Sequence, residues 1–337
     1  MKILVIRRDN IGDLVCTTPL IRALRRQLPN ASLQALVTHY NAEVLAGNPD
    51  LDRVYSYQKA KHRGPGEGTL GIYWQRLKTI LALRRERFDW VLLPGGAQAS
   101  SLRFARMIAA KRVLIRDDQD RQGGAHEVEQ CCHLLPRMGL RYETPAPLVV
   151  PDPALQQAFR EQCSARLGFA PTRLIGVHVS ARKPSQRWPA DRFAAFIRAV
   201  TEPEGTACLL FWAPGSSDDP KHPGDDHKAA EIIAATHGAP VVPLPTGHLR
   251  QLIAGLSLCD GVLCADGGAM HLAAALGKPM VCLFGDSDPE RWGPWGNPHR
   301  IAQAESRDVE DLTVESILQR WEEVQGANSA IECQERQ

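Results

Sequence analysis

The turn Asp266-Gly267-Gly268 has the composition of an anion-binding site. It follows an apolar run, Val262 to Ala265, and precedes helical spacing from Ala269 to Leu276, so the sequence predicts a strand, a turn and a helix. N–H groups at the start of a helix lack intrahelical partners and, together with the helix dipole, favour a phosphate. The alternative is that Asp266 caps an ordinary strand–helix unit. His271, on the same helix, either faces a ligand or packs against the sheet.

A second polar turn, from Arg8 to Asp13, follows the first predicted strand, Lys2 to Arg7. Ligands of α/β proteins bind at the carboxyl ends of the strands, where a carboxylate such as Asp13 can take a proton from a substrate hydroxyl. Gly12 allows the backbone to approach a substrate closely. The alternative is that Asp13 caps the helix predicted over Leu14 to Leu28.

Three Asp-x-Asp sequences have a form that can hold Mg²⁺, and they are Asp50-Leu-Asp52, Asp118-Gln-Asp120 and Asp286-Ser-Asp288. His126, Glu129 and His133 also share one face of a predicted helix. Because Asp is common at turns and a packed interface explains the histidine face, we expect no metal site. Neither predicted domain has the Gly-x-Gly-x-x-Gly turn of a nicotinamide dehydrogenase, which counts against hydride chemistry.

The composition is that of a soluble protein with two domains. The chain has 337 residues, of which 44% are hydrophobic, and its apolar runs are far shorter than the roughly 20 residues of a membrane-spanning helix. The N-terminus lacks the apolar stretch of a signal peptide, so we expect a cytoplasmic location. The nine cysteines show no metal-ligand spacing and are expected to be reduced and buried.

Strand patterns alternate with helical patterns along most of the chain, which predicts parallel α/β sheets. The proline-rich segment 142–153 is the predicted boundary between an N-terminal domain, residues 1–145, and a C-terminal domain, residues 146–325, with a disordered polar tail over 326–337. Helices are predicted over Glu127 to Met138 and, last in the chain, Val314 to Val324. The connection from Gln58 to Thr69 is long enough to be a lid.

Charge is distributed unevenly between the two halves. Residues 1–150 contain 23 Lys and Arg against 14 Asp and Glu, whereas residues 151–337 carry a net charge of −7. The basic half indicates either an anionic partner, which could be a phosphorylated glycolipid, an acidic membrane surface or nucleic acid, or an unevenly charged solvated surface. The predicted helix Leu70 to Arg87 combines Trp74 and Leu77 with basic residues, and either packs on the sheet or contacts a membrane surface.

Several sequence blocks occur in order along nearly the whole chain, and they are Lys2-Ile3-Leu4-Val5-Ile6, Gly12-Asp13, Gly176-Val177-His178, Arg187-Trp188-Pro189 and Asp266-Gly267-Gly268 with His271 after it. Together they resemble the family 9 glycosyltransferases, which include the ADP-heptose heptosyltransferases of lipopolysaccharide core synthesis. The resemblance implies the GT-B architecture, with two Rossmann-like domains whose parallel sheets face a cleft. It implies an inverting transfer from a nucleotide sugar such as ADP-heptose, with no bound metal or other cofactor.

The resemblance also implies partners and site residues. The acceptor is an anionic lipid-linked saccharide, the lipopolysaccharide inner core, at the inner membrane surface, and nucleic acid is not a partner. Asp13 becomes the catalytic base, with Asn10, Gly12, Lys61 and Arg63 as acceptor-binding residues. The departing diphosphate needs positive charge and N–H donors. The predicted donor-binding residues are Ser180, Lys183, Gln186, Arg187, Asp266, Gly267, Gly268 and His271.

Gln186 departs from the family pattern. Other family members usually have a Lys two residues before the tryptophan that matches Trp188. An amide can donate a hydrogen bond to a phosphate but cannot offset its charge. Either Lys183 or Arg187 supplies that charge or the donor is held differently, so the donor sugar stays open. A sugar-nucleotide epimerase of the same two-domain fold and a non-catalytic nucleotide-binding protein are the alternative functions.

Overall fold

The computed structural model describes residues 1–58, 69–117, 126–218 and 224–335. Lys61, Arg63 and Asp118-Gln-Asp120 lie outside the described residues, as does most of the connection from Gln58 to Thr69. The chain divides into two compact units, Met1–Val150 (unit 1) and Pro151–Gln337 (unit 2). The division falls inside the proline-rich segment 142–153, where prolines cannot continue a helix or a central strand.

Unit 1 contains a parallel five-stranded sheet in the order β3-β2-β1-β4-β5. Its strands are β1 (Lys2–Ile6), β2 (Ser32–Thr38), β3 (Arg53–Tyr57), β4 (Trp90–Leu93) and β5 (Arg112–Ile115). Its α-helices are α1 (Ile11–Val15), α2 (Thr18–Gln27), α3 (Thr69–Glu86), α4 (Ala99–Ile108) and α5 (Glu127–Cys132). Because β1 is central and covered on both faces, it is apolar and buried from Ile3 to Ile6.

Unit 2 contains a parallel six-stranded sheet in the order β11-β10-β9-β6-β7-β8. Its strands are β6 (Arg173–His178), β7 (Thr206–Trp212), β8 (Val241–Pro245), β9 (Gly261–Ala265), β10 (Met280–Phe284) and β11 (His299–Gln303). Its α-helices are α6 (Pro153–Leu167), α7 (Ala190–Val200), α8 (Asp226–Ala235), α9 (Leu249–Ser257), α10 (Gly268–Ala275), α11 (Pro289–Trp292) and α12 (Val314–Glu335). Two Rossmann-like units with parallel sheets confirm the predicted fold class.

Side chains alternate between the two faces of β1, and this alternation positions the charged residues that follow the strand. Leu4 and Ile6 pack in a core that contains Phe104. Arg8 continues that side, because it lies against the Phe104 ring. Arg7 contacts Glu127 of α5 instead. Two consecutive arginines therefore serve two different sites at the end of one strand.

Two predicted helices of unit 1 differ in extent from the observed ones. The pattern from Leu14 to Leu28 predicted one helix after a loop, but α1 already begins at Ile11 and α2 begins at Thr18, with Pro19 in its first turn. The pattern from Glu127 to Met138 also predicted one helix. It is divided into α5 and a short 3₁₀ turn, Pro136–Met138, because a proline inside a helix lacks the N–H that the preceding turn requires.

The C-terminal part of unit 2 contains elements that the sequence did not predict. β11 pairs with β10 at the edge of the sheet, and the short α11 follows a loop after β10. The last helix, predicted to end at Val324, runs to Glu335, through most of the segment predicted to be a tail. Within the described parts of the chain, no helix is both long enough and apolar enough to cross a bilayer.

Candidate active site

A cluster of charged side chains lies at the carboxyl end of β1. Arg7 Nη2 is 2.6 Å from Asp13 Oδ1 and 2.8 Å from Glu127 Oε1, and Arg7 Nε is 3.0 Å from Asp9 Oδ2. Arg116 Nη1 is 2.6 Å from the same Glu127 oxygen. Because Arg7 and Glu127 are buried, removing either charge would leave the other without full compensation in a medium of low polarity.

Asp13 is the predicted base, and it is not the N-cap of a helix. The N-cap of α1 is Asn10, and Asp13 is the third residue of the helix. Asp13 Oδ2 accepts hydrogen bonds from the main-chain N of Asn10 at 3.0 Å and from its side-chain amide at 2.9 Å. The N-cap position predicted as the alternative for Asp13 is therefore taken by Asn10, and Asp13 contributes to the cap as the third residue of a capping box.

These contacts keep the Asp13 carboxyl ionised. Burial opposes its ionisation, but the charge of Arg7 and the hydrogen bonds from Asn10 and Arg7 outweigh burial, so the pKa of Asp13 lies below its ordinary value. The side chain keeps 12% of its surface exposed. A substrate hydroxyl can therefore reach a carboxylate that is fixed in position and negatively charged at neutral pH. Gly12, beside it, is buried in α1.

Arg7, Glu127 and Arg116 are site residues that the sequence analysis did not identify. Arg7 had been assigned to the end of the first strand. One signal was present in the sequence, because Arg7 directly follows an apolar strand that is expected to be buried. An arginine inside a protein is seldom found without an anionic partner. The partner could not be identified, since Glu127 is 120 residues away along the chain.

Two arginines lie against the same two aromatic rings at the carboxyl end of the sheet of unit 1. They are on the face of that sheet opposite to Arg7. The guanidinium carbon of Arg8 lies 4.7 Å from the Phe104 ring centroid and 5.0 Å from that of Tyr57. The guanidinium carbon of Arg76, on α3, lies 4.6 Å and 5.7 Å from the same two centroids. Arg8 Nε also donates a hydrogen bond to the Tyr57 hydroxyl. No local sequence pattern indicates this cluster, because its residues come from four separate parts of the chain.

Three loops of unit 2 are linked at the carboxyl ends of β6, β9 and β10. Gln186 is buried, and its Nε2 donates to Asp266 Oδ2 at 2.7 Å and to Ser287 Oγ at 3.1 Å. Ser180 Oγ, in the loop after β6, accepts a hydrogen bond from the main-chain N of Ala213 at 2.9 Å, which leaves its hydroxyl proton to donate. The structure thus brings Gln186 and Asp266, both predicted donor-binding residues, into direct contact.

Lys183 extends the network that Gln186 forms. Its Nζ is 2.9 Å from Asp286 Oδ1 and 3.2 Å from Ser287 Oγ. The two loops approach so closely that a Cβ atom at Gly285 would lie 2.4 Å from the main-chain oxygen of Ser185, so only glycine fits there. Lys183 and Asp286 keep 41% and 56% of their side chains exposed, which allows the lysine to exchange this partner for an anionic ligand.

Arg187 is exposed and supports its own loop, because its Nε donates to the main-chain oxygen of Ala181 at 3.1 Å. Lys228 of α8, which the sequence analysis missed, lies 5.0 Å from the Phe193 ring centroid. Burial lowers the pKa of Lys228 to about 8; Asp225 opposes this shift, and the charge of Arg187 adds to it. Two cations therefore lie near each other in this part of unit 2.

The turn after β9 differs in two ways from the sequence expectations. The N-cap of α10 is Gly267 and the helix begins at Gly268, so Asp266 does not cap it and the cap interpretation is wrong. Its carboxylate binds Gln186 instead. His271 is buried with its ring edge-on to Trp292, at 6.5 Å between centroids. The ring contact of His271 is thus with α11, and its role in donor binding stays a prediction.

Comparison with known proteins decides the family. The model of glycosyltransferase family 9 (heptosyltransferase) matches residues 76–322. The chain belongs to glycosyltransferase family 9. Over 89% of its length it is 26% identical to lipopolysaccharide heptosyltransferase 2 of Salmonella typhimurium, and the match covers 87% of that protein. The resemblance is therefore confirmed, and this protein is a glycosyltransferase.

Solved structures of low sequence identity share the fold of this family 9 glycosyltransferase. The crystal structure of a family 9 glycosyl transferase from Veillonella parvula matches with a TM-score of 0.79 and 18% identity over 96% of both chains. Escherichia coli ADP-heptose lipopolysaccharide heptosyltransferase II matches with a TM-score of 0.74 and 21% identity, over 98% of this chain and 100% of that one. These matches support the GT-B fold, and family membership sets aside the epimerase and non-catalytic alternatives.

The candidate metal ligands of this glycosyltransferase have structural partners. Asp52 accepts a hydrogen bond from a main-chain N–H of β2, Asp288 caps α11, and Asp286 pairs with Lys183. His126 caps α5, and His133 stacks on a tyrosine ring. Among the described residues, no three His, Cys, Asp or Glu side chains come together in a group that could hold a metal ion.

Proposed function

We propose that this enzyme transfers a heptose, or a related sugar, from a nucleotide donor such as ADP-heptose to a lipopolysaccharide core or related glycan acceptor. The activities for which the related proteins are named support heptose and lipopolysaccharide as substrates. The observation that supports sugar transfer most directly is the Asp13 carboxylate, which is fixed in position and ionised after the end of β1. We place the acceptor on unit 1 and the nucleotide sugar on unit 2, with no resident metal or cofactor.

Asp13 acts as the general base in this proposal. As the acceptor oxygen forms its bond to the anomeric carbon, the bond from that carbon to the diphosphate oxygen breaks and the nucleoside diphosphate leaves with the electron pair. The acceptor proton passes to Asp13. A carboxylate of low pKa is a weak base, but the hydroxyl becomes acidic as its oxygen bonds to carbon, so a weak base suffices. One displacement of this kind inverts the anomeric configuration.

The departing diphosphate is stabilised by groups of unit 2. Arg187 and Lys183 supply positive charge, and the first N–H groups of α10 add donors, because negative charge develops on the bridging oxygen. Gln186 orients Asp266 and Ser287 without contributing charge. Lys183 therefore replaces the lysine that other family members are expected to have at the position of Gln186.

A transfer assay tests this function. The enzyme is incubated with ADP-heptose and a heptose-free lipopolysaccharide core acceptor, and ADP release, the product mass and the anomeric configuration of the product are measured with and without EDTA. We expect acceptor-dependent ADP release, an inverted product and no effect of EDTA. A donor that is altered equally with and without acceptor would contradict transfer to this acceptor, and a product that forms only with UDP-sugars would overturn the choice of donor.

We also propose a cytoplasmic location with peripheral binding to an acidic membrane. On α3, Trp74, Leu77 and Leu81 are exposed by 59%, 43% and 45%, and the Lys78 ammonium lies 5.6 Å from the Trp74 ring centroid. Exposed apolar side chains spaced by one or two turns, with exposed cations beside them, suit the boundary between headgroups and acyl chains. Each basic residue near an acidic surface adds about 1 kcal/mol.

Vesicle flotation tests the membrane proposal. Binding is expected to acidic but not to neutral vesicles, and it should fall as salt is raised, since ions screen charges over roughly 8 Å at physiological ionic strength. Trp74→Ala with Leu81→Ser should reduce binding, whereas Phe169→Ala, which removes an equally exposed apolar side chain from unit 2, should not. Equal flotation with both vesicle types would contradict the proposal.

A further inference from the structure

The cluster of Arg8, Arg76, Tyr57 and Phe104 has no role in the chemistry described above. Both guanidinium carbons lie within 5 Å of the same Phe104 ring centroid, so two positive charges are held against one aromatic ring. Each ring can attract a cation through its face, but two cations beside one ring repel each other. A negatively charged group that contacts both guanidinium groups would offset this repulsion.

The nearby carboxylate of Asp9 does not serve this purpose. Asp9 directly follows Arg8, but its Oδ2 contacts Arg7 Nε at 3.0 Å and its Oδ1 accepts from Gln98 Nε2 at 2.8 Å. Across the ranges that the structure describes, Arg76 forms no ion pair. Its charge is therefore held by the aromatic rings, with its N–H groups left to meet an anion.

The Tyr57 hydroxyl adds a neutral donor to the cluster. It accepts a hydrogen bond from Arg8 Nε, and its own proton is then directed to another acceptor. Burial raises the pKa of Tyr57, although Arg8 acts in the opposite direction, so the hydroxyl stays protonated at neutral pH. Guanidinium groups that rest on rings lose little further freedom when they bind, and their planar edges match the oxygens of a phosphate or carboxylate.

From this geometry we infer that Arg8, Arg76 and Tyr57 form an oxyanion site of unit 1, which binds a phosphate or carboxylate group of the acceptor. Arg8 follows β1, as Asp13 does, and Tyr57 ends β3, so both residues lie at the carboxyl ends of strands, where α/β proteins bind ligands. An anionic substituent held there would orient the acceptor before the reacting hydroxyl meets Asp13. The assignment to the acceptor rests on the proposed function, but the affinity for an oxyanion does not.

Anion-dependent thermal stability tests the site without any transfer reaction. The melting temperature of the full-length protein is measured in phosphate, acetate and chloride at equal ionic strength, for the parent, Arg76→Ala, Arg76→Lys and the control Arg84→Ala. Arg84 lies on the same helix and is exposed. We expect phosphate, or acetate if a carboxylate is preferred, to raise the parent's melting temperature above its value in chloride. Arg76→Ala should lose at least half of that shift, Arg76→Lys should lose less, and Arg84→Ala should keep all of it.

Binding at the donor site of unit 2 contributes equally to all variants, so it cancels in this comparison. An anion-induced shift that is the same in the parent and in Arg76→Ala, for both phosphate and acetate, would overturn the site. In the transfer assay, Arg76→Ala should raise the acceptor KM by roughly tenfold or more, as expected when a charged hydrogen bond is lost, and leave the donor KM unchanged. If Arg76→Ala loses the anion-induced rise in melting temperature but keeps the parent's acceptor KM, the oxyanion site is retained and its assignment to the acceptor is overturned.

Discussion

The two units share an architecture but organise the carboxyl ends of their central strands differently. In unit 1, Arg7, Glu127 and Arg116 form buried ion pairs around Asp13. In unit 2, the buried link between loops is the neutral amide of Gln186, and the Lys183–Asp286 pair is half exposed. Buried charges fix one carboxylate in position and ionisation state, whereas an exposed pair can exchange partners. The difference suits a fixed base in one unit and the binding of a charged ligand in the other.

The largest expected effect of a substitution is on the base. Asp13→Asn keeps the shape of the side chain but removes the proton acceptor, so kcat should fall by about 10²–10⁴-fold while ADP affinity stays unchanged. Rates at saturating substrates and ADP calorimetry measure this. Asp9→Asn is the matched control, because Asp9 also contacts Arg7. A rate within threefold of the parent for Asp13→Asn would place the base elsewhere.

The lowered pKa of Asp13 adds a pH dependence to this prediction. A base must be deprotonated to act, and a depressed pKa keeps Asp13 deprotonated into the acid range. Activity should therefore stay level on the acid side between about pH 7 and pH 5, by comparison with the ordinary Asp pKa of about 3.9. An acid loss of kcat/KM centred above pH 6 would indicate a different base.

The second expected effect is on stability. Glu127→Gln leaves Arg7 and Arg116 buried without their shared carboxylate, so the free energy of unfolding should fall by about 3–5 kcal/mol. Guanidinium denaturation measures it. Glu86→Gln, which breaks a partly exposed pair with Lys2, should cost no more than about 1 kcal/mol. Equal losses in the two variants would remove the distinction between buried and exposed pairs.

The third expected effect concerns the donor. Arg187→Ala should weaken ADP binding by about 1.5–3 kcal/mol, the range for a charged hydrogen bond, since it removes a cation and a contact that supports the loop. Arg198→Ala is the control, because Arg198 likewise donates to a main-chain oxygen but lies on α7, outside the loop. Calorimetry that gives the parent's affinity for Arg187→Ala would exclude this arginine from the phosphate site.

The smallest expected effect has the opposite sign. Asp286→Asn releases Lys183 from its carboxylate partner, so ADP should bind more tightly, by up to about 1 kcal/mol. Asp288→Asn, which changes the cap of α11, should leave the ADP affinity unchanged. Weaker binding by Asp286→Asn would show that the pair holds the loop in place rather than competing with the ligand.

Most of the fold could be predicted from the sequence because each element carries its own pattern. β1 and β9 have the predicted bounds to within one residue, since apolar runs ended by turn residues mark buried strands. The predicted bounds of two helices were less accurate. α1 begins earlier than predicted, with Asn10 as its N-cap, and α5 ends earlier than predicted because Pro136 interrupts the helical pattern. The edge strand β11 was missed because only Ala302 within it is fully buried.

The candidate site could be predicted only in part. The turn positions of Asp13 and Asp266 were visible, because each follows a central strand. Their partners were not, since Arg7 meets Glu127 over 120 residues and Gln186 meets Asp266 over 80. Such contacts depend on which strands become neighbours, and local patterns do not carry that information. The shared rings of Arg8 and Arg76 were missed for the same reason.

The tight contact at Gly285 has a consequence for the kinetics of association. Ser185 packs against this glycine, and Gln303 Nε2 donates to the main-chain oxygens of Gly285 and Ser287 at 2.6 Å and 3.0 Å. A loop held from both sides is already arranged before a nucleotide arrives, so little ordering accompanies binding. Mixing experiments on a millisecond scale should then show one exponential phase whose rate rises linearly with nucleotide concentration. A side chain at position 285 would separate the loops and introduce a slower, concentration-independent step.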